Sequence, residues 1–153
     1  MKFTNEYIEM VSKAEEIQGL WKINEGNWFV YNGTNGKNEK LNPFCSTPAN
    51  EIKPYMREYY SWLPTLEDLF GMVKPIFNTN RLALNFEIHR NKCEISIGEP
   101  CYQVGMEIYV YSNDINEGLL ELIMKYNYNK SWNPDTKQWE KIKGCDKKIY
   151  GGE

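Results

Sequence analysis

The side chains best suited to chemistry gather in one stretch. Arg81, Asn85, Glu87 and His89 fall on alternate positions, with Leu82, Leu84, Phe86 and Ile88 between or beside them. If this run is a strand, period-two alternation sends the polar four to one face and the aliphatic set to the other. After Asn91-Lys92 the alternation resumes, with Cys93, Ile95 and Ile97 set against Glu94, Ser96 and Gly98. A third run opposes Met106, Ile108 and Val110 to Glu107, Tyr109 and Tyr111. Antiparallel pairing would bring Glu94 and Ser96 beside the polar face, with Tyr109 and Tyr111 joining from the third strand. A guanidinium, a carboxylate, an imidazole and phenols on one face suit a small polar ligand or a partner protein. His89 with Glu87 would also allow acid–base chemistry. The plainer reading is a solvated face with cross-strand ion pairs, or a face covered by the first helix.

Other catalytic signatures are missing from the sequence. His89 is the one histidine in the chain, so no paired-histidine ribonuclease or H-E-x-x-H zinc site can be assembled. Gly33-Thr34-Asn35-Gly36-Lys37 has too short a glycine-to-lysine spacing for a phosphate loop, and no buried strand leads into it. Neither G-x-S-x-G nor G-x-G-x-x-G occurs. Cys45, Cys93, Cys101 and Cys145 lack zinc-knuckle spacing. Cys93 alternates with the apolar set and reads as a small buried hydrophobe. No metal or cofactor is expected, and the chain reads as a non-enzyme. Trp132 and Trp139 form a second candidate pair. Packing at a corner is the plainer role for them, and an exposed aromatic hot spot is the alternative.

Several elements must position these groups. Beyond Tyr111 the period changes: Ile115, Leu119, Leu122, Ile123 and Tyr126 make one helical stripe, started by Asp114 with Glu117 three residues on. Three antiparallel strands closed by this amphipathic helix form a two-layer unit. At the other end, Thr4 or Asn5 caps a helix in which Tyr7, Met10, Val11, Ala14, Ile17 and Trp21 face inward. Lys13, Glu15, Glu16 and Gln18 turn outward there, and Gly19 stops the helix. Trp28 to Tyr31 reads as a strand ending in Asn32-Gly33, a turn signal that Thr34-Asn35-Gly36-Lys37 repeats, so the place of the turn stays open. Residues 33–58 read as an irregular loop with one short strand. Thr65, with Asp68 three residues on, starts a helix over Leu66, Leu69, Phe70 and Val73, weakened by Gly71 and ended by Pro75. Asn133-Pro134-Asp135-Thr136 reads as a turn that stacks Trp132 and Trp139 over the end of the last helix. The tail after Lys141 reads as frayed. Together these elements predict a single α+β domain over residues 1–153. Its mainly antiparallel sheet of three to five strands is packed by the N-terminal and C-terminal helices.

Composition narrows the partners. The chain has 153 residues, 41% hydrophobic and 25% charged, ordinary for a soluble globular protein. Its 14% aromatic content exceeds what a core alone absorbs, and exposed Tyr and Trp favour recognition surfaces. A net charge of −3 supplies no basic face for nucleic-acid phosphates and is too small for a DNA mimic. No signal peptide and no membrane-spanning apolar run are read, so a cytosolic protein with reduced thiols is expected.

Three motifs carry a resemblance. Glu6-Tyr7-Ile8 with Lys13-Ala14-Glu15-Glu16-Ile17-Gln18 and Leu20-Trp21 resembles the start of small uncharacterised proteins of phages and prophages of Gram-positive bacteria. Trp62-Leu63-Pro64-Thr65 with Asp68-Leu69 resembles their middle motif. Tyr126 to Trp132, followed by Trp139, resembles their closing motif. The likeness covers both ends and the centre, omits residues 33–58, and touches the hairpin from 82 to 111 only weakly. No settled activity belongs to that family, so the resemblance implies a setting and carries over no catalytic residue. The expectation drawn from it is a non-enzymatic, phage-borne accessory protein in the cytoplasm of a bacterial host. It would bind a host protein, with defence antagonism of the anti-CRISPR kind the sharpest version. A mildly acidic, Tyr-rich surface would suit a basic, nucleic-acid-handling protein rather than nucleic acid or a membrane. Two readings stand beside it, a sponge for a nucleotide signal or other small molecule and an enzyme on the His89–Glu87 face. The sequence leaves the oligomeric state open.

Overall fold

The computed structural model describes residues 3–31, 43–45, 53, 58–80, 83–89, 92–98 and 108–142. Arg81, the Asn32-Gly33 turn, most of the 33–58 loop and the tail from residue 143 lie outside them. The fold is α+β, as the sequence predicts.

The first helix starts where its cap predicts. Thr4 is extended, and its hydroxyl accepts a hydrogen bond from the Tyr7 N–H at 2.9 Å, opening α1 (Asn5–Ser12). The single helix expected through Gly19 is divided, however. Ala14 leaves helical geometry (φ −87°, ψ 78°), and a second short helix, α2 (Glu15–Gly19), follows. The apolar stripe survives the break, because Tyr7, Met10, Val11, Ala14, Ile17 and Trp21 are all buried. Ala14 stays satisfied through its carbonyl, which accepts from both Ile17 and Gln18 N–H groups.

Next come β1 (Trp28–Tyr31), β2 (Phe44–Cys45) and β3 (Tyr60–Leu63), antiparallel in the order β2-β1-β3. Phe29 is fully buried at their centre, with the Phe44 ring edge-on at 4.0 Å and Tyr60 at 5.6 Å. Thr65 caps α3 (Leu66–Asn80) reciprocally: its hydroxyl accepts from the Asp68 N–H at 3.2 Å, and Asp68 accepts from the Thr65 N–H at 2.7 Å. The helix does not stop at Pro75 but continues to Asn80. Proline removes one N–H and strains against the carbonyl four residues earlier. Here that carbonyl belongs to Gly71, which is exposed, so water can satisfy it.

The second sheet holds β4 (Ala83–His89), β5 (Lys92–Gly98) and β6 (Ile108–Ser112), again antiparallel and in chain order. Its register puts Phe86, Ile95 and Val110 in one row and Glu87, Glu94 and Tyr111 in the next. Ile95 and Val110 are buried and Tyr111 is exposed, which identifies the core face and the outer face. The helix α4 (Ile115–Tyr128) lies on the core face. Asp114 caps it, accepting from Asn116 N–H at 2.8 Å and Glu117 N–H at 3.4 Å. It ends at Asn129 in the left-handed region (φ 55°), whose N–H returns to the Lys125 carbonyl. Gly118 sits where helix meets sheet: a Cβ there would lie 2.7 Å from Ile95 Cδ1. Glu117 is buried and takes hydroxyl hydrogen bonds from Thr4 and from Ser112 (3.0 Å), joining the starts of α1 and α4 to the end of β6.

A last ribbon, β7 (Lys130–Asn133) and β8 (Gln138–Lys141), completes the described structure. Among the described residues the strands thus form two three-stranded sheets and one ribbon rather than a single sheet of three to five strands. Part of the reason is Gln18. Its side-chain amide accepts from the Trp62 N–H at 2.8 Å and donates to the Trp62 carbonyl at 2.9 Å. It thereby occupies the groups through which β3 would pair with another strand.

Candidate functional site

The two tryptophans meet as the turn predicts. Trp132 and Trp139 face one another across the β7–β8 ribbon, ring centroids 5.3 Å apart and planes inclined at 59°. Asn133 shapes the turn by accepting from the Asp135 and Thr136 N–H groups. The indole N–H groups, however, reach the first helix rather than the end of the last. Trp132 donates to Glu6 at 2.7 Å and Trp139 to the Met10 carbonyl at 2.8 Å. Lys137 adds a 2.6 Å bond to the other Glu6 oxygen, and Lys13 donates to the Lys137 carbonyl at 2.7 Å. Lys137 holds positive φ (55°), a conformation a lysine seldom adopts, with its ammonium tied to α1 and its carbonyl to Lys13 just beyond it. The partners Glu6, Lys13 and Lys137 carry no sequence signal, because the contacts join the two ends of the chain.

Other links join the same regions. Tyr7 donates to the Pro64 carbonyl at 2.6 Å, and burial pushes its phenol far above its ordinary range. Lys130 pairs with Glu16. The first of the three motifs that carry the resemblance therefore meets the other two, through Tyr7 with the Pro64 carbonyl and through Glu6 and Glu16 with Trp132 and Lys130.

Glu6 gives a pH prediction. Burial raises its pKa, but the hydrogen bonds from Lys137 and Trp132 outweigh burial and hold the carboxyl below its ordinary 4.5. A depressed carboxylate stabilises the fold above its unfolded value and loses that contribution as pH falls through the folded value. Glu6→Gln is therefore expected to lower Tm slightly at pH 7. The gap to the parent should close as thermal melts are run below about pH 4.

The outer face of the second sheet is different. It consists of rows: Asn85, Ser96 and Tyr109; then Glu87, Glu94 and Tyr111; then His89 across from Lys92. Tyr111 is 64% exposed, the highest value among the large hydrophobic side chains described. Among the described residues neither the Tyr111 nor the Glu94 side chain makes a hydrogen bond or ion pair. Glu87, His89, Tyr109 and Tyr111, grouped from alternation alone, occupy one face of the register. Lys92 belongs to this face as well, although in the sequence it reads only as part of a turn.

A smaller aromatic group lies on the first sheet. Tyr31 and Tyr59 are half exposed, and the Tyr31 ring is 5.3 Å from Tyr60. A hydrogen bond to Glu58 keeps the Tyr59 phenol protonated above its ordinary range. Among the described residues no group of three or more His, Cys, Asp or Glu is placed to hold a metal ion, and no helix is long and apolar enough to cross a membrane. Compared with models of known families, with curated proteins and with solved structures, the chain matches none.

Proposed function

We propose that this chain is a non-enzymatic binding protein, a phage-borne accessory factor that engages a host protein in the bacterial cytoplasm. Antagonism of a defence system is its sharpest form. The observation that carries the binding reading is the outer face of the β4-β5-β6 sheet, where Tyr111 is 64% exposed beside Glu94. An exposed phenol on a regular sheet is a rigid, amphipathic anchor of the kind that dominates protein interfaces. The Trp132–Trp139 pair, by contrast, has both indole N–H groups bonded to α1 and contributes to the fold. The motif resemblance supports the phage setting.

Affinity capture from a bacterial lysate, run in parallel with parent and Tyr111→Ala, tests this. A stoichiometric host protein held by the parent should be held about tenfold more weakly, or lost, with Tyr111→Ala at unchanged Tm. Equal capture by both proteins would overturn the assignment of the face. A nucleotide released from the denatured parent, with no protein partner, would favour the sponge.

A further inference from the structure

We infer that the outer face of the β4-β5-β6 sheet takes an arginine-bearing, cationic segment of its partner, an inference that rests on the binding reading above. The register supplies the first argument. Glu87 stands directly across from Glu94, and Glu94 directly across from Tyr111, so one row spans all three strands. Like charges at directly opposed positions of an antiparallel pair repel. Glutamates at two directly opposed register positions let a cation laid along the row meet two acidic positions at once.

The second argument is the chemistry beside the carboxylates. An exposed phenol next to a carboxylate suits guanidinium better than ammonium. The planar guanidinium stacks on the ring while its fork of N–H donors meets the carboxylate, and an ammonium does only the latter. Asn85, Ser96 and Tyr109 continue the face as hydrogen-bonding positions with no charge, suited to a polar peptide backbone. The row on the other side, His89 across from Lys92, is not acidic. The cation's footprint is thereby confined to the middle row, and nucleic-acid phosphates find no continuous basic surface there.

The test uses the full chain and three short peptides: alternating arginine and glycine, alternating lysine and glycine of equal charge, and alternating glutamate and glycine. Amide chemical shifts should move along β5 and β6 with the arginine peptide. Its affinity should exceed that of the lysine peptide about tenfold, and the glutamate peptide should not bind. Glu94→Gln and Tyr111→Ala should each weaken the arginine peptide about tenfold, while Tyr111→Phe, which keeps the ring, should change it little. Equal binding of arginine and lysine peptides, shifts elsewhere, or no binding overturns the inference. So does concentration-dependent self-association that Tyr111→Ala abolishes, which would assign the face to a second copy of this chain. If the arginine preference fails while lysate capture still depends on Tyr111, only the guanidinium assignment falls. If capture is also indifferent to Tyr111, the binding reading falls with it.

Discussion

Gln18→Ala is expected to destabilise the fold by about 2–4 kcal/mol, lowering Tm by roughly 5–15 °C. Gln18 makes three hydrogen bonds: from its amide to the carbonyls of Val11 (3.0 Å) and Trp62 (2.9 Å), and to its oxygen from the Trp62 N–H (2.8 Å). Trp62 is buried between Ser61 and Leu63, which are buried too. Truncation leaves the Trp62 N–H and carbonyl without their partner at a buried residue, while the Val11 carbonyl keeps only the Ala14 N–H at 3.2 Å. An unsatisfied buried polar group costs about 1–3 kcal/mol, far more than the net value of an average hydrogen bond. Gln18→Glu separates the contributions. It keeps the acceptor for the Trp62 N–H but sets a carboxylate oxygen against two carbonyls, so it should be no better than alanine at neutral pH. Urea unfolding of the three proteins decides the matter. An alanine variant within about 0.5 kcal/mol of the parent, the usual scatter of surface substitutions, would mean that Gln18 is a surface residue after all.

The second large effect lies at the helix–sheet contact, where the sign of a substitution should depend on its neighbour. In a helix interior alanine is favoured over glycine by about 1 kcal/mol. At Gly118 a methyl would sit 2.7 Å from Ile95 Cδ1, and Ile95 is fully buried. Overpacking of this kind costs about 1–3 kcal/mol, so Gly118→Ala should be neutral to destabilising, and the bulkier Gly118→Val should lose about 3 kcal/mol or more. Ile95→Val removes the offending Cδ1 atom. Alone it should cost about 0.5–1.5 kcal/mol. In that background Gly118→Ala should become stabilising, although Ser112 Cβ, at 3.4 Å from the added methyl, still limits the gain. A double-mutant cycle should therefore return a coupling of about 1–2 kcal/mol favouring the pair. Strict additivity would show that the helix shifts to admit the methyl, and the close contact would lose its significance.

Local patterns in the sequence were informative wherever neighbours in the chain decide the structure. The alternation from Leu82 to Tyr111 and the stripe from Ile115 to Tyr126 correspond to β4, β5, β6 and α4, and the caps at Thr4, Thr65 and Asp114 are where their residue types place them. Alternation also grouped Glu87, His89, Tyr109 and Tyr111 on one face, since register on a sheet follows from its buried side. What escaped depends on partners far away in the chain. Gln18 lies on the polar side of a helical stripe and reads as solvated, yet it is 44 residues from the strand edge it completes. The break at Ala14 leaves the apolar stripe intact, so periodicity does not register it. Pro75 reads as a stop because the exposure of Gly71 is a tertiary fact. The division into separate sheets was equally hidden, since it depends on which strand edges are already satisfied.

The bonds from Trp132 and Lys137 to Glu6 span 126 and 131 residues. A chain made from its N-terminus presents α1 long before the ribbon that holds it exists. At roughly 5–20 residues per second, translation leaves Glu6 waiting on the order of 6–25 s for Trp132. Joining such distant segments also carries a large loop-closure entropy, which slows folding. During that interval the side chains of Tyr7, Met10 and Val11, all buried in the finished protein, also lack α4, against which α1 packs. The nascent chain is then most open to chaperones, to proteases and to its own neighbours on the same message.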